Sequence, residues 1–226
     1  VSVMKKFLTL LMALSMCLSL AACGGSSEET AETPADSETA GEDGAVSSGV
    51  EDGVLTIAME CAYAPYNWSQ SDDSNGAVPI SNVPGTYANG YDVMIAKQIC
   101  EANGWELEVV QSDWDSLVPG VQTGTFDAVI AGQSMTAERS EQVDFAGPYY
   151  YATMVCVTKA DSPNANASSI DELSGTATAQ ESTIWYNACL PQIKGADIQT
   201  AAESAPAMLM ALETGTVDFV CTDMPT

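Results

Sequence analysis

Two successive runs of alternating strand and helix patterns constrain the fold of this 226-residue chain more than any other feature. The first run reads as strand, helix, strand, helix and strand over 54–59, 92–103, 106–110, 116–122 and 127–131. The second run repeats this order over 176–179, 182–190, 197–200, 203–213 and 217–221. Such alternation is typical of α/β domains with mostly parallel sheets. One long extended stretch, 149–158, joins the runs and predicts two lobes that share a hinge.

Local signals predict several details of the first run. Asp92 is the expected N-cap of the first helix, and Gly104 is its expected stop. The stretch 127–131 lacks a polar interruption and is expected to be a strand buried on both faces. Residues 69–89 are polar and rich in turn formers, so we expect a surface excursion there.

The only arginine of the chain, Arg139, follows the apolar segment 126–132 and is a candidate anion clamp. A guanidinium can grip a carboxylate through two parallel hydrogen bonds. Thr136 is placed to cap a helix that begins beside Arg139, and the start of a helix also favours anions. The alternative is a surface ion pair of Arg139 with a neighbouring acid, either Glu138, Glu141 or Asp144.

Charge excludes one class of function. The chain has 31 acidic residues against six basic ones, for a net charge of −25, and it contains no histidine. Such a surface repels phosphates, and no basic groove or helix is evident, so nucleic-acid binding is excluded. Mechanisms that need a histidine are excluded as well.

The N-terminal residues predict export. A positive start, an apolar core and the sequence Leu20-Ala-Ala-Cys23 predict a secretory signal over 1–22, and the last four residues resemble a bacterial lipobox. Cys23 would then carry the lipid and become the mature N-terminus; the alternative is an ordinary signal with a chance cysteine. Residues 23–53 are acidic, contain no basic residue, and are expected to be a disordered tether.

The remaining cysteines do not form a metal-binding or redox motif in the sequence. They are Cys61, Cys100, Cys156, Cys189 and Cys221. They are odd in number, and no Cys-x-x-Cys spacing occurs, so neither a metal site nor a cofactor is predicted. One pair could be oxidised outside the cytoplasm, whereas buried free thiols are expected for most.

Several segments, in order, resemble the polar amino-acid-binding lipoproteins of ABC importers, the bacterial extracellular solute-binding proteins of family 3. The matching segments are 60–66, 90–92, 113–119, 124–132, 134–139, 143–150 and 222–225. The resemblance implies a periplasmic-binding-protein-like α/β fold, with two lobes joined by a hinge and a ligand cleft between them. It places lobe 1 at 54–152 and lobe 2 at 153–226.

The resemblance also assigns roles at the two ends of an amino-acid ligand. Arg139 would clamp the α-carboxylate, helped by Ser134 and by backbone amides near Gly132. Asp223 would accept the α-ammonium; its alternative is a cap in the turn before Pro225.

A second loop and three further side chains complete the implied site. Ser182 and Thr183 would open a helix and hold the carboxylate from the other lobe, although Ser182 is equally interpretable as a plain N-cap. Tyr63 and Trp114 match an aromatic pair that sandwiches the ligand side chain; either could instead be core filler. Glu60 would meet a distal cation or be a solvated strand end.

The sequence departs from the family pattern at a few positions. Glu181 replaces the usual glycine before Ser182, Ala137 replaces a proline, and Met94 stands where an acid is common. The family chain returns from lobe 2 to lobe 1, whereas this sequence stops at Thr226, so lobe 2 is expected to be incomplete and the chain truncated.

The function implied is that of an extracytoplasmic, monomeric receptor, anchored to the cell membrane through Cys23. It would capture a free polar amino acid and pass it to the permease subunits of an ABC transporter, without catalysis. The acids Glu60, Asp223 and Glu181, set against one arginine, favour a neutral polar or cationic ligand. The alternatives are a dehydratase-like enzyme and a sensory module of the same fold.

Overall fold

The computed structural model describes residues 50–224 of the chain. The predicted signal, the lipidation position Cys23 and the tether as far as residue 49 lie outside the described residues, as do the last two residues. Within 50–224, no helix has the length and the apolar content needed to cross a membrane.

Strands and helices alternate through most of the described range. The strands are β1 (Val54–Met59), β2 (Ala62–Tyr63), β3 (Asn67–Gln70), β4 (Val78–Pro79), β5 (Tyr87–Asn89), β6 (Glu106–Gln111), β7 (Ala128–Val129), β8 (Thr153–Thr158), β9 (Ser174–Thr178), β10 (Gly195–Ile198) and β11 (Phe219–Met224). The α-helices are α1 (Tyr91–Asn103), α2 (Leu117–Gln122), α3 (Ala137–Ser140) and α4 (Ala205–Thr214), and Trp185–Cys189 is a π-helix.

A parallel sheet of order β6-β1-β7 forms the first half of the fold. β1 pairs with β6 along its whole length, from Val54 opposite Glu106 to Met59 opposite Gln111. The inward side chains of Ile57 and Val109 are completely buried, as period-two alternation requires. The predicted third strand is shorter than expected: only Ala128–Val129 pairs, and both residues are half-buried.

A mixed sheet of order β10-β9-β11-β8 forms the second half. β10 and β11 flank β9 in parallel, and β8 adds to the outer edge of β11 in antiparallel fashion. The predicted extended stretch 149–158 becomes regular only as β8. Phe219 and Val220 of β11 are completely buried, because this strand lies inside the sheet.

The segment 69–89, expected to be a surface excursion, is largely exposed and contributes to an antiparallel sheet of order β2-β3-β5-β4. Ile80 forms an isolated bridge to Val109, and Ile80 and Ala88 are buried. The surface position agrees with the expectation, whereas the short strands were not predicted. Polar turn residues dominate its composition, but the few apolar side chains dock on the first core.

Helix boundaries follow the predicted signals in part. Gly104 is the left-handed C-cap of α1, with φ of 72°, and Ser204 caps α4 through a bond from the amide of Ala207. Asp92 is not the cap of α1, since Gly90 holds that position with φ of 125°. A Cβ on Gly90 would lie 2.2 Å from the carbonyl oxygen of Tyr66, so no other residue fits.

Two hydrophobic cores lie on either side of the candidate site. The first packs around β1, α1 and β6, with Ile57, Met59 and Val109 at its centre. The second packs around β9, α4 and β11, with Met208 and Phe219 at its centre. Tyr63 and Tyr66 follow β1 in sequence yet belong to the second core, so the segment after β1 joins the two halves.

Candidate ligand-binding site

The guanidinium of Arg139 bridges two main-chain carbonyls that are distant in sequence. Nη1 donates to the carbonyl oxygen of Ser134 and Nη2 to that of Ser182, each at 2.7 Å. Its Cζ lies 5.4 Å from the centroid of the Trp114 ring, within the range of a cation–π contact. The arginine fork therefore spans from the loop after β7 to the loop after β9.

The alternative for Arg139, a surface ion pair with Glu138, Glu141 or Asp144, is wrong. Among residues 50–224, the ion pair found within 4.0 Å joins Lys194 to Asp171. Thr136 does cap α3, its hydroxyl accepting a bond from the amide of Arg139 at 3.2 Å. Because α3 has only four residues, its dipole adds little, and attraction for an anion falls to the guanidinium itself.

Ser134 and Gly132 both make main-chain hydrogen bonds within the protein. Ser134 offers its carbonyl oxygen to Arg139. The amide of Gly132 is already bonded to the hydroxyl of Tyr149 at 2.9 Å. Gly132 has φ of 61°, and a Cβ there would lie 3.1 Å from the ring of Tyr63. Glycine is needed at 132 for backbone conformation and for close packing.

A buried hydrogen-bond network supports the loop after β7, which contains Gly132 and Ser134. The carboxylate of Asp92 accepts bonds from Asn67 at 2.7 Å and from the hydroxyl of Tyr149. Burial raises the pKa of Asp92, and both bonds oppose that rise. The chain from Asn67 through Asp92 and Tyr149 thus ends on the amide of Gly132 and fixes the start of the Arg139 loop.

Asp223 lies within β11 and is buried, with 7% of its surface exposed. Its Oδ1 accepts a hydrogen bond from the hydroxyl of Tyr63. The alternative of a turn cap is wrong, because the residue is paired opposite Met154 in the sheet. The predicted amine acceptor is therefore a buried acid that faces the segment after β1.

The loop of Ser182 and Thr183 leads into a helical segment as expected, which begins at 184 and includes the π-helix Trp185–Cys189. The carbonyl oxygen of Thr183 accepts a bond from the amide of Asn187 at 3.0 Å. Ser182 has a left-handed backbone, with φ of 55°, and its carbonyl oxygen accepts from Arg139 and from the indole of Trp114 at 3.5 Å. The hydroxyl of Thr183 donates to the carbonyl of Gln180 at 2.6 Å and accepts from the amide of Tyr186. This serine–threonine turn closes on itself, and Ser182 is not an N-cap.

The two predicted sandwich aromatics lie in different surroundings. Tyr63 stacks on Tyr66 with ring centroids 4.8 Å apart, and it also contacts Trp185 at 5.7 Å. Trp114 packs against the first core and lies under Arg139. Tyr63 is thus held mainly in the second core, whereas half-buried Trp114 lines a cavity.

Glu60 is buried, with 8% of its surface exposed, so the alternative of a solvated strand end is wrong. Nε2 of Gln180 donates to both carboxylate oxygens, at 3.0 and 3.1 Å. Burial raises the pKa of Glu60 to about 7, the Gln180 bond opposes the rise, and the charges of Asp113 and Asp115 add to it. Glu60 therefore titrates near neutral pH.

An acidic cavity of about 930 Å³ opens beside Glu60. Its acidic lining residues are Glu60, Asp113, Asp115, Glu181 and Glu203. The charge of Asp115 raises the pKa of Glu181, which shows that the two carboxylates face a common space. Trp114 forms part of the same wall, so an aromatic surface and a cluster of negative charge adjoin each other.

Three other predicted residues border a second cavity of about 560 Å³. Its lining includes Gly132, Ser134 and Asp223, together with apolar residues of α1, α2 and β7. The structure therefore brings the predicted residues into three linked groups: Arg139 with Ser134, Ser182 and Trp114; Asp223 with Tyr63; and Glu60 with Gln180.

Residues 55–201 match the family described as bacterial extracellular solute-binding proteins, family 3. The chain belongs to this family. The L-cystine-binding protein TcyA of Bacillus subtilis (strain 168) is 28% identical over 221 residues, which cover 97% of this chain and 74% of TcyA. TcyA is named as a binding protein, and the family description confirms the predicted extracytoplasmic class.

Solved structures of the family confirm the predicted two-lobed α/β fold class. An amino acid ABC transporter substrate-binding protein from Streptococcus pneumoniae Canada MDR_19A, bound to L-arginine, superposes with a TM-score of 0.66 at 28% identity. The match covers 79% of this chain and 71% of that one. The ancestral amino acid-binding protein AncCDT-1, a precursor of cyclohexadienyl dehydratase, has a TM-score of 0.64 at 27% identity over 78% of this chain and 73% of its own.

Three residues of the site were missed in the sequence. Gln180 is completely enclosed between Glu60 and the turn at Thr183, and Tyr149 and Asn67 hold Asp92. Gln180 lies two residues beyond β9, at the carboxyl edge of the second sheet, and that position was the available signal. Nothing comparable marked Asn67.

Proposed function

We propose that this protein is an extracytoplasmic receptor that binds one polar amino acid and delivers it to an ABC-type permease. The proposal rests on family membership and on one observation in particular. The single arginine directs its fork between two loops of different halves, where the carbonyls of Ser134 and Ser182 hold it. A ligand carboxylate at the same position would gain two charge-assisted bonds.

The ligand class follows from the charges around the site. Asp223 would accept the α-ammonium group, and Ser182 and Thr183 would contribute from the second half. The acidic cavity beside Glu60 would take a side chain that is cationic or neutral and polar, with Trp114 covering its apolar stem. An acidic side chain would meet like charges there, so glutamate and aspartate would bind poorly.

We further propose the arrangement of the whole chain. Residues 1–22 would be the signal, Cys23 would carry the lipid, and 23–53 would tether the folded part to the membrane as a monomer. Lobes at 54–152 and 153–226 would close on the ligand, because contacts to both lobes form only in the closed state. Mass spectrometry of the membrane-bound form tests the anchor, since a lipid on the peptide that begins at Cys23 is expected.

Calorimetry tests the receptor function directly. Purified protein titrated with each proteinogenic amino acid and with L-cystine should bind one molecule per chain of at least one cationic or neutral polar ligand. A thermal-shift screen ranks the same ligands, since saturating ligand adds a few kcal/mol of stability. Stabilisation by glutamate alone would contradict the ligand class, and no binding of any amino acid would contradict the receptor itself.

Substitution of Arg139 tests the clamp. Arg139→Ala should weaken binding by about 3 kcal/mol, roughly a hundredfold in Kd, because the ligand carboxylate loses its only cation. Lys97→Ala is the matched control: it removes the same charge from an exposed side chain that bonds only the carbonyl of Gly76. Equal affinities of the two variants would show that Arg139 is structural.

A second candidate function is catalytic loss of water from a bound ligand. It is favoured by Glu60, a buried carboxyl with a pKa of about 7 beside a cavity, which has the protonation behaviour of a general acid. Prolonged incubation of protein and ligand, followed by mass spectrometry, would detect a product lighter by one water. The activity should vanish in Glu60→Gln, while unchanged ligand throughout would exclude it.

A further inference from the structure

Three cysteines, none of them proposed to bind ligand, converge in the second half of the fold. Cys156 of β8 and Cys221 of β11 stand directly opposite each other in the antiparallel register. Cys189, the last residue of the π-helix, packs against the same core. Cys221 shifts the pKa of both other thiols.

The strand register favours one of the possible pairs. Opposite residues of an antiparallel pair have Cα atoms about 4.5 or 5.5 Å apart. Both separations fall within the range of roughly 4.4–6.8 Å that a disulfide spans. Cys156 and Cys221 therefore meet the Cα distance requirement through backbone pairing alone. Cys189 comes from a helical segment and lacks such a constraint.

Burial gives the two partners different roles. Cys221 is buried, with 2% of its surface exposed, whereas Cys156 is half-buried and accessible from the edge strand. The bond to Cys221 lowers the pKa of Cys156 against the effect of burial, and the same bond, with burial, raises the pKa of Cys221. An external reagent thus meets Cys156 first.

We propose that Cys156 and Cys221 form a thiol–disulfide exchange site, whose substrate is a small-molecule or protein disulfide. The Cys156 thiolate attacks one sulfur of that disulfide, forms a mixed disulfide and releases the other half as a thiol. Cys221 then attacks the Cys156 sulfur and releases the second half. The external disulfide gains two electrons and the two cysteine protons, and the protein gains one bond between β8 and β11.

The bond has a measurable structural consequence. It closes the chain between residues 156 and 221 and restricts the unfolded state, so the melting temperature should rise by about 10 °C on oxidation. Asp223 lies two residues beyond Cys221 on the same strand and face, so the bond also anchors the strand that carries this acid.

Tryptic mapping tests the proposal on the full chain. Trypsin cuts after Arg139, Lys159 and Lys194, so the three cysteines fall into the separate peptides 140–159, 160–194 and 195–226. The protein is incubated with oxidised glutathione, alkylated in denaturant, digested and analysed without reduction. The expected product links 140–159 to 195–226, has lost two hydrogens, and separates on addition of dithiothreitol.

Single substitutions and the remaining cysteines provide the controls. Cys189→Ser should keep both the linked peptide and the rise in melting temperature, and Cys156→Ser should lose both. Cys100 is buried in the first core and should stay alkylatable throughout. A dominant link between 160–194 and 195–226, or full alkylation of Cys156 and Cys221 in the wild-type protein after oxidation, would overturn the proposal.

Discussion

The arginine and the two buried acids of the candidate site are held by different kinds of hydrogen-bond partner. Arg139 is held by main-chain carbonyls, those of Ser134 and Ser182. The two buried acids are held by side chains, Asp223 by Tyr63 and Glu60 by Gln180. A carbonyl persists whatever side chain stands beside it, whereas a hydroxyl or a carboxamide disappears with its residue. The two acids should therefore be affected more than Arg139 when the residues that bond them are substituted.

The largest expected effect concerns the charge of Glu60. Its pKa is raised from 4.5 to about 7 in the folded protein, so the folded state binds the proton more tightly than the unfolded state. The contribution of Glu60 to stability should therefore fall as pH rises from 4.5 through 7, by about 3 kcal/mol in total. Urea unfolding across this range measures it. Glu60→Gln should remove that part of the pH dependence, and Glu106→Gln on an exposed strand position should keep it.

The next effect in size concerns the proposed amine acceptor. Asp223→Asn should weaken ligand binding by about 2 kcal/mol, because the ligand ammonium loses a buried opposite charge while the shape of the site is kept. Titration calorimetry of the variant measures the change. Asp218→Asn is the matched control on the same segment, since Asp218 bonds Thr176 away from both cavities. An unchanged Kd in Asp223→Asn would remove this residue from the site.

A smaller effect is expected at the partner of Asp223. Tyr63→Phe removes the hydroxyl that donates to the buried carboxylate of Asp223 and should lower the free energy of unfolding by about 1.5 kcal/mol. Chemical denaturation measures the loss. Tyr87→Phe supplies the comparison, since Tyr87 lies on β5 in the small antiparallel sheet. Equal stabilities of the two variants would mean that the acid does not depend on its side-chain partner.

The smallest effect is expected where the main chain is the partner. Ser134→Ala and Ser182→Ala keep both carbonyls that bond Arg139, so each should change affinity by less than about 0.5 kcal/mol. Ser182→Gly additionally relieves the left-handed backbone, and its unfolding free energy should not decrease. A large loss of binding in either alanine variant would show that the hydroxyls matter and would remove the contrast between the two parts.

Local signals predicted the regular elements well, and contacts between distant residues explain what they missed. β1, β6 and the Gly104 stop follow from short windows of sequence. The role of Asp92 depends on Asn67 and Tyr149, which are 25 and 57 residues away. A carboxylate at the second residue of a helix resembles a cap until such partners are known.

The candidate site shows the same limit. Arg139 was found because it is the only arginine, but its two carbonyl partners leave no trace in residue type. The expected helix over 182–190 forms as a helical segment that begins at 184 and includes the five-residue π-helix Trp185–Cys189. The segment starts after Ser182, whose backbone is left-handed, and apolar periodicity does not report that conformation.

Because main-chain carbonyls hold Arg139, mutation should affect the arginine and the acidic cavity of this site to different extents. A point mutation changes a side chain, whereas the hydrogen bonds to Arg139 come from main-chain carbonyls and are independent of the side chains at 134 and 182. The negative charge of the acidic cavity, by contrast, comes from carboxylate side chains, each of which a single substitution can remove. Laboratory evolution toward a new ligand should therefore accumulate its substitutions around Glu60, Asp115 and Glu181 and leave Arg139, the proposed clamp for the ligand carboxylate, unchanged.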